Sequence, residues 1–112
     1  VITDRYYGSS LAYQSLIAPL DRIVALNEEF RAPDAVVFMD ISPEQALERI
    51  EARGEAKERF ETLARLQDIA TSFAVAMALL RDRGETVVRV DAVGSPTEVH
   101  DRILSALKEC LL

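Results

Sequence analysis

The sequence contains one cysteine, one histidine and no tryptophan. A single thiol, Cys110, excludes an intramolecular disulfide framework and favours a reducing compartment, and we expect it to be buried on the apolar side of a terminal helix. The single imidazole, His100, has no cysteine or carboxylate constellation around it in the sequence, so no protein-held metal site is predicted. The apolar residues recur periodically, and no unbroken run predicts a membrane-spanning helix.

The four glycines are isolated from one another, and none begins a Gly-Lys-Ser or Gly-Lys-Thr tripeptide. The phosphate-cradling pattern GxxxxGK[ST] is therefore missing from these 112 residues. The formal net charge of −6 opposes polyanions, so neither nucleic acid nor an anionic membrane is predicted as a partner. The length allows one domain or part of one, and an apolar run beginning at Val1 suggests a chain cut within a strand.

Strand and helix signals alternate along the chain and predict the order β-α-α-β-α-α-β-α. Ser-Pro pairs at residues 42–43 and 95–96 are typical helix starts, and Gln45 completes a capping box after the first pair. Gly54 and Gly84 are typical helix ends. We therefore expect an α/β fold with a mostly parallel sheet. The predicted strands are residues 1–5, 35–41 and 86–91, and the predicted helices are about 9–18, 20–31, 43–54, 57–83 and the segment from Pro96.

Polar residues mark the carboxyl ends of the predicted strands, where ligands bind in parallel sheets. Asp4 and Arg5 end the first, and Asp40 and Asp91 end the others. An arginine grips phosphate oxygens in a planar fork, while a neighbouring carboxylate orients it or a magnesium-bound water. Asp4 and Arg5 serve one site only if the chain turns there, and we expect Gly8 to permit a sharp turn from strand to helix. The alternative interpretation is a strand-end salt bridge.

Ser10, Tyr13 and Gln14 are spaced three and four residues apart, which places them on one face of a helix. A hydroxyl, an aromatic ring and an amide on one face are suited to holding a nucleobase. The alternative is that Ser10 caps the helix and the other two are surface residues.

The segment DRYYGSSLAYQ, residues 4–14, resembles the signature of the thymidylate kinase family, in which Asp-Arg-Tyr or Asp-Arg-His is followed by Ser and then Ala-Tyr-Gln. Residues 58–61, Glu-Arg-Phe-Glu, and residues 90–92, Val-Asp-Ala, are similar to later elements of the family and occur in the same order. The resemblance covers nearly the whole chain. Phe73 stands where the family often has Tyr.

This resemblance implies the C-terminal part of a single kinase domain, spanning residues 1–112, with three strands of a P-loop NTPase-like parallel sheet and flanking helices. The missing P-loop strand would lie between the first two predicted strands, so we expect open sheet edges and self-association of the chain alone. The implied protein is a cytoplasmic nucleoside-monophosphate kinase that transfers the γ-phosphoryl of ATP, with Mg²⁺, to dTMP to give dTDP. It is expected to be a homodimer when intact, and the chain alone is expected to be inactive.

The resemblance also implies roles for individual residues. Asp4, Arg5, Arg49 and Arg53 would act in catalysis. The dTMP site would consist of Arg5, Ser10, Tyr13 and Gln14. The ATP side would consist of Arg49, Arg53, Asp91 and Ala92, with residues 49–60 as the lid.

Other interpretations remain open. The basic residues of the proposed lid alternate with glutamates, and on a solvated helix these glutamates could form ion pairs with all of them. These basic residues are Arg49, Arg53, Lys57 and Arg59. Another P-loop deoxynucleoside kinase would share the Asp-Arg pair, although the Ala-Tyr-Gln continuation at residues 12–14 argues against it. A nucleotide-binding or interaction module without catalysis is the alternative outside the enzymes. A hydroxyl and an amide do not distinguish dTMP from dUMP.

Overall fold

The computed structural model describes residues 2–54 and 59–111, including all side chains except those of 59–61. It is an α/β structure with five helices and a two-stranded sheet within these residues. The strands β1 and β2 are parallel and in register from Val36 opposite Val87 to Asp40 opposite Asp91. The elements are α1 (Tyr7–Gln14), α2 (Leu20–Asn27), β1 (Val36–Asp40), α3 (Pro43–Ala52), α4 (Arg59–Asp82), β2 (Val87–Asp91) and α5 (Pro96–Leu111).

The two β-branched apolar runs form the sheet, as predicted. Backbone hydrogen bonds extend the pairing past both ends of the ladder: Val36 N donates to Thr86 O at 2.8 Å, and Ala92 N donates to Asp40 O at 2.8 Å. Each strand is slightly shorter than its apolar run. The parallel pairing, predicted from the alternation of strands and helices, is confirmed.

The prediction of a third strand at residues 1–5 is wrong for the described residues. Residues 2–6 form no strand, and Ile2 is 97% exposed. An extended segment becomes a strand only when a neighbouring strand accepts and donates its backbone hydrogen bonds, and the sheet described here contains only β1 and β2. The chain instead turns at Arg5, whose φ is 62°. The observed order is therefore α-α-β-α-α-β-α.

The two Ser-Pro pairs start helices, as predicted. Ser42 Oγ accepts the backbone N–H of Gln45 at 3.2 Å, and Ser95 Oγ accepts that of Glu98 at 3.2 Å. Each hydroxyl satisfies an amide that has no partner within the helix. These caps fix the first turns of α3 and α5 directly beyond the carboxyl ends of β1 and β2.

Gly54 and Gly84 follow α3 and α4 with φ of 72° and 87°, the left-handed conformation predicted for helix ends. After α4, Glu85 N donates to Leu80 O at 3.0 Å, which closes the last turn. The helix predicted over 20–31 is shorter and ends at Asn27.

The core lies between α1 and α4. Leu11 and Leu80 are fully buried there, and Met77 is 4% exposed. Gly8, which we expected at a sharp turn, lies inside α1 facing this core, because the turn occurs earlier, at Arg5. A Cβ on Gly8 would lie 3.2 Å from Met77 Cε. The glycine therefore permits close helix packing.

Smaller contacts attach the remaining helices. Leu47 of α3 is fully buried, and α3 packs on α4. Val90 of β2 and Val99 of α5 are buried where α5 covers the sheet. Cys110, predicted to be buried, is exposed near the end of α5, where Leu111 is also 51% exposed. No described element covers that last turn.

Helix α4 contains a segment, Thr62–Asp82, that is long and apolar enough to cross a membrane by length and composition, with a mean hydropathy of 1.4. This is weak evidence, because the core helix of a globular protein meets the same criterion. Here α4 packs against α1 and α3. The absence of a membrane partner stays a prediction.

Candidate functional site

The predicted Asp4-Arg5 pair lies in an exposed turn before α1. Arg5 has a left-handed backbone, and Thr3 Oγ1 donates a hydrogen bond to Arg5 O at 3.2 Å. The guanidinium carbon lies 5.4 Å from the centroid of the Tyr13 ring. In the described part of the chain, Asp4 and Arg5 form no ion pair. The strand-end salt bridge is thus not observed, and the required turn is present.

Ser10, Tyr13 and Gln14 lie together on the face of α1 opposite its buried residues. Ser10 is half-buried, Tyr13 is 38% exposed and Gln14 is exposed. Helix α1 begins at Tyr7, so Ser10 lies within it and the capping alternative is wrong. Among residues 2–54 and 59–111, neither the Ser10 hydroxyl nor the Gln14 amide has a hydrogen-bond partner. Both groups are available to a ligand beside Arg5.

The residues predicted for the ATP side form a second group, at the end of β2. Arg49 Nη2, from α3, donates to Ala92 O at 2.8 Å, which joins residues that are distant in sequence. Asp91 is exposed, and its Oδ1 accepts the backbone N–H of Val93 at 3.0 Å. Arg53 is the exposed C-terminal cap of α3, one turn beyond Arg49.

The lid prediction is untested by the structure. Residues 55–58, including Lys57, lie outside the described residues, as does the side chain of Arg59.

A cleft of about 360 Å³ opens at the carboxyl ends of the two strands. The register places Asp40 opposite Asp91, and Arg89 Nε donates to Asp40 Oδ2 at 2.5 Å. An adjoining cleft of about 250 Å³ extends to Arg49. This location agrees with the rule that ligands bind at strand ends. The polar lining of the first cleft is Asp40, Ser42, Gln45, Arg89 and Asp91.

Sequence reasoning missed Arg89 and Gln45 as cleft residues. Arg89 points into the cleft because alternate residues of β2 share a face with Asp40 across the pair. Pairing the two predicted strands in parallel, with their terminal aspartates aligned, would have placed Arg89 on that face. Gln45 was interpreted solely as part of a helix-capping pattern.

Tyr7 fixes the first turn of α1 against the loop before β2. Its hydroxyl donates a hydrogen bond to Glu85 Oε1. Burial raises the pKa of Tyr7 above its ordinary value, and the hydrogen bond and negative charge of Glu85 raise it further. The phenol is therefore a neutral donor, and its role is structural.

Together, the parallel strands, capped helices and polar strand ends define an α/β protein with a candidate ligand site at the carboxyl edge of its sheet. The sequence profile of the thymidylate kinase family matches residues 1–103. The chain therefore belongs to the thymidylate kinase family.

The curated relatives agree with this assignment. The chain is 36% identical to the thymidylate kinase of Leptospira borgpetersenii serovar Hardjo-bovis, over 99% of this chain and 49% of the relative. It is 38% identical to the thymidylate kinase of Xanthomonas oryzae pv. oryzae, over 99% of this chain and 48% of the relative. The chain thus spans about half the length of the curated relatives it matches. No significant match to a solved structure was found.

Proposed function

We propose that the intact protein transfers the γ-phosphoryl of ATP to dTMP, and that this chain supplies the dTMP site and the lid. The observation that carries the proposal is the position of the Arg5 guanidinium beside the face formed by Ser10, Tyr13 and Gln14. Arg5 grips the phosphate of dTMP in a planar fork. Ser10 and Gln14 hydrogen-bond the thymine edge, and Tyr13 packs by the deoxyribose.

On the ATP side, Arg49 and Arg53 stabilise the charge that spreads over the equatorial oxygens of the transferring phosphoryl group. The Arg49 guanidinium has five N–H donors, and its bond to Ala92 O leaves others for phosphate. Asp91 lines the cleft, and in this proposal Asp91 and the next residue, Ala92, lie towards the adenine. A phosphate oxygen of dTMP attacks the γ-phosphorus, the bond to the bridging oxygen breaks, and ADP leaves.

Magnesium fits this scheme as the partner of the ATP phosphates. Within residues 2–54 and 59–111, no group of three His, Cys, Asp or Glu residues forms a metal site. The ion would enter on the nucleotide and neutralise phosphate charge, and Asp4 is the carboxylate proposed to orient Arg5 or a water of the ion. The chain lacks a GxxxxGK[ST] loop, so we propose that the chain alone binds dTMP without transferring phosphate.

We also propose that the intact protein is a cytoplasmic homodimer associated through α4. Val75 is 50% exposed on this helix, and Ala74 and Ala78 beside it are exposed. Burial of such an apolar surface against a second copy of the chain would stabilise a dimer, because the surface is removed from water. Val75→Glu should shift the intact protein from dimer to monomer in sedimentation velocity. Arg65→Glu, an exposed control on another face of α4, should not, and a dimer that survives Val75→Glu would contradict this interface.

The dTMP site is tested by calorimetric titration of dTMP, AMP and ATP into the purified chain, with its helicity checked by circular dichroism. We expect selective dTMP binding. A lost hydrogen bond to a charged group is worth about 1.5–3 kcal/mol, so Arg5→Ala should weaken binding about tenfold to a hundredfold. Arg22→Ala removes an equal charge from the exposed surface of α2 and should leave binding unchanged.

The outcomes separate the alternatives. A folded chain that does not bind dTMP would refute the proposed substrate site. An equal loss in both arginine variants would indicate nonspecific attraction of anions. In the intact protein, ADP release from ATP and Mg²⁺ should require dTMP. Binding of dTMP without ADP release would indicate a nucleotide-binding module without catalysis. ADP release with a deoxynucleoside in place of dTMP would indicate a P-loop deoxynucleoside kinase.

A further inference from the structure

An aromatic chain connects the sheet to the candidate phosphate-binding arginine. Phe38 of β1 stacks on Phe73 of α4, with ring centroids 5.6 Å apart and an interplanar angle of 17°. Phe73 in turn meets Tyr13 edge-on, at 5.2 Å and 89°. The Tyr13 ring then lies under the Arg5 guanidinium at 5.4 Å. Four side chains from three different elements and the turn before α1 thus form one continuous contact path.

Arg5 depends on this path for its position. Its backbone occupies the left-handed region, which is unfavourable for residues with a Cβ. The side chain is exposed, and within the described residues its guanidinium contacts no carboxylate or carbonyl. The ring of Tyr13 is the contact that directs the cation towards the face of Ser10 and Gln14.

Tyr13 is itself held from α4. Tyr13 lies on the exposed side of α1, and the edge-to-face contact with the Phe73 ring holds the Tyr13 ring in place. The neighbouring Ser72 Oγ donates to Ala12 O at 2.5 Å and lies 2.8 Å from Ser15 Oγ. These bonds fix the distance between α1 and α4 beside the aromatic contact. The position of Tyr13 therefore follows that of α4.

We propose that Phe73 is a positioning residue for substrate binding: it orients Tyr13, and through Tyr13 the Arg5 guanidinium, towards the phosphate of the nucleotide. This inference rests on the proposed dTMP site. Phe73 touches no substrate in this scheme and acts through the two residues that do.

The first test needs no nucleotide. Protons of Arg5 above the Tyr13 ring are shifted upfield by the ring current, and nuclear magnetic resonance of the labelled chain measures this shift. Phe73→Leu should move the shift towards that of an unstructured arginine, and Phe73→Tyr, which keeps the ring, should restore it. Phe30→Leu is the matched control, because Phe30 meets Tyr6 and not Tyr13. An unchanged Arg5 shift in folded Phe73→Leu would overturn the proposal.

If Phe73→Leu does not fold, Phe73→Met is a second variant without an aromatic ring, and its longer side chain fills the space differently. The second test is dTMP affinity, with Tm measured beside it. An aromatic pair is worth about 0.5–1.5 kcal/mol, so Phe73→Leu should weaken dTMP binding about two- to tenfold. The loss should disappear in a Tyr13→Leu background, because Phe73 then has nothing to position.

The readouts also distinguish the positioning role from the dTMP site. If Phe73→Leu lowers the Tm alone, or weakens binding equally with and without Tyr13, Phe73 is a packing residue and the inference fails. If the unaltered chain shows the Arg5 shift and its loss in Phe73→Leu but binds no dTMP, the proposed substrate is wrong and the role of Phe73 in placing the arginine is supported.

Discussion

Arg5 combines a left-handed backbone with the proposed phosphate contact, so substitutions there should separate stability from binding. We compare Arg5→Ala with Arg5→Gly. Both remove the guanidinium, and therefore both should lose dTMP affinity. They differ in the backbone, because alanine keeps the Cβ that makes φ of 62° unfavourable and glycine does not.

The expected difference follows from three contributions. Loss of the cation–π contact with Tyr13 costs both variants about 0.5–1 kcal/mol at an exposed site. Removing the Cβ relieves about 1–2 kcal/mol of left-handed strain in the glycine variant. The greater freedom of glycine in the unfolded chain offsets about 0.5–1 kcal/mol of this gain. Arg5→Gly should therefore match the unaltered chain in stability, and Arg5→Ala should be about 0.5–1 kcal/mol less stable.

Urea unfolding and thermal melting measure this difference. For a domain of this size it corresponds to a Tm about 3 °C higher for Arg5→Gly than for Arg5→Ala. Calorimetry should show dTMP binding weakened about tenfold or more in both variants. Equal stability of the two variants, or lower stability of Arg5→Gly, would show that residue 5 is not left-handed in solution and would refute the turn that directs Arg5.

Two further predictions concern the packing of α1. Leu80→Ala should lower the free energy of unfolding by about 2–5 kcal/mol in urea, because Leu80 is fully buried between α1 and α4; a loss below about 1 kcal/mol would contradict that core. Tyr7→Phe removes the donor to Glu85 and should be destabilising at pH 8 by about 1–2 kcal/mol. Because folding raises the pKa of Tyr7, its contribution is fully present below the unfolded-state pKa of about 10 and is lost as the pH rises above it. Unfolding of the unaltered chain and of Tyr7→Phe, measured from pH 8 to 11, should show the two stabilities converging above pH 10. The control is Tyr6→Phe, which loses a hydrogen bond to a backbone carbonyl. A constant difference in stability between the unaltered chain and Tyr7→Phe would refute this explanation.

Local signals in the sequence were sufficient for several elements. The Ser-Pro pairs predicted the starts of α3 and α5, and Gly54 and Gly84 predicted the helix ends. These features depend on neighbouring residues, because a cap or a left-handed glycine satisfies backbone groups within a few positions. The parallel arrangement of β1 and β2 also followed from the alternation of elements.

Other features depended on partners distant in sequence. Residues 2–6 have the composition of a strand, but a strand requires a neighbour to complete its hydrogen bonds, and they form a turn here. Cys110 has an apolar sequence pattern around it, but burial requires a covering element, and it is exposed. Gly8 was expected to permit a turn and instead allows α1 to approach α4.

By itself the sequence determined the family, through the motif at residues 4–14, and the set of candidate residues on α1, because helical spacing alone places Ser10, Tyr13 and Gln14 on one face. Tertiary structure decided how Arg5 joins that face. The turn at φ 62° and the ring of Tyr13 place its guanidinium, and Phe73 reaches Tyr13 from sixty positions away in α4. Contacts across such separations arise from packing of whole helices, which no local pattern of residues specifies.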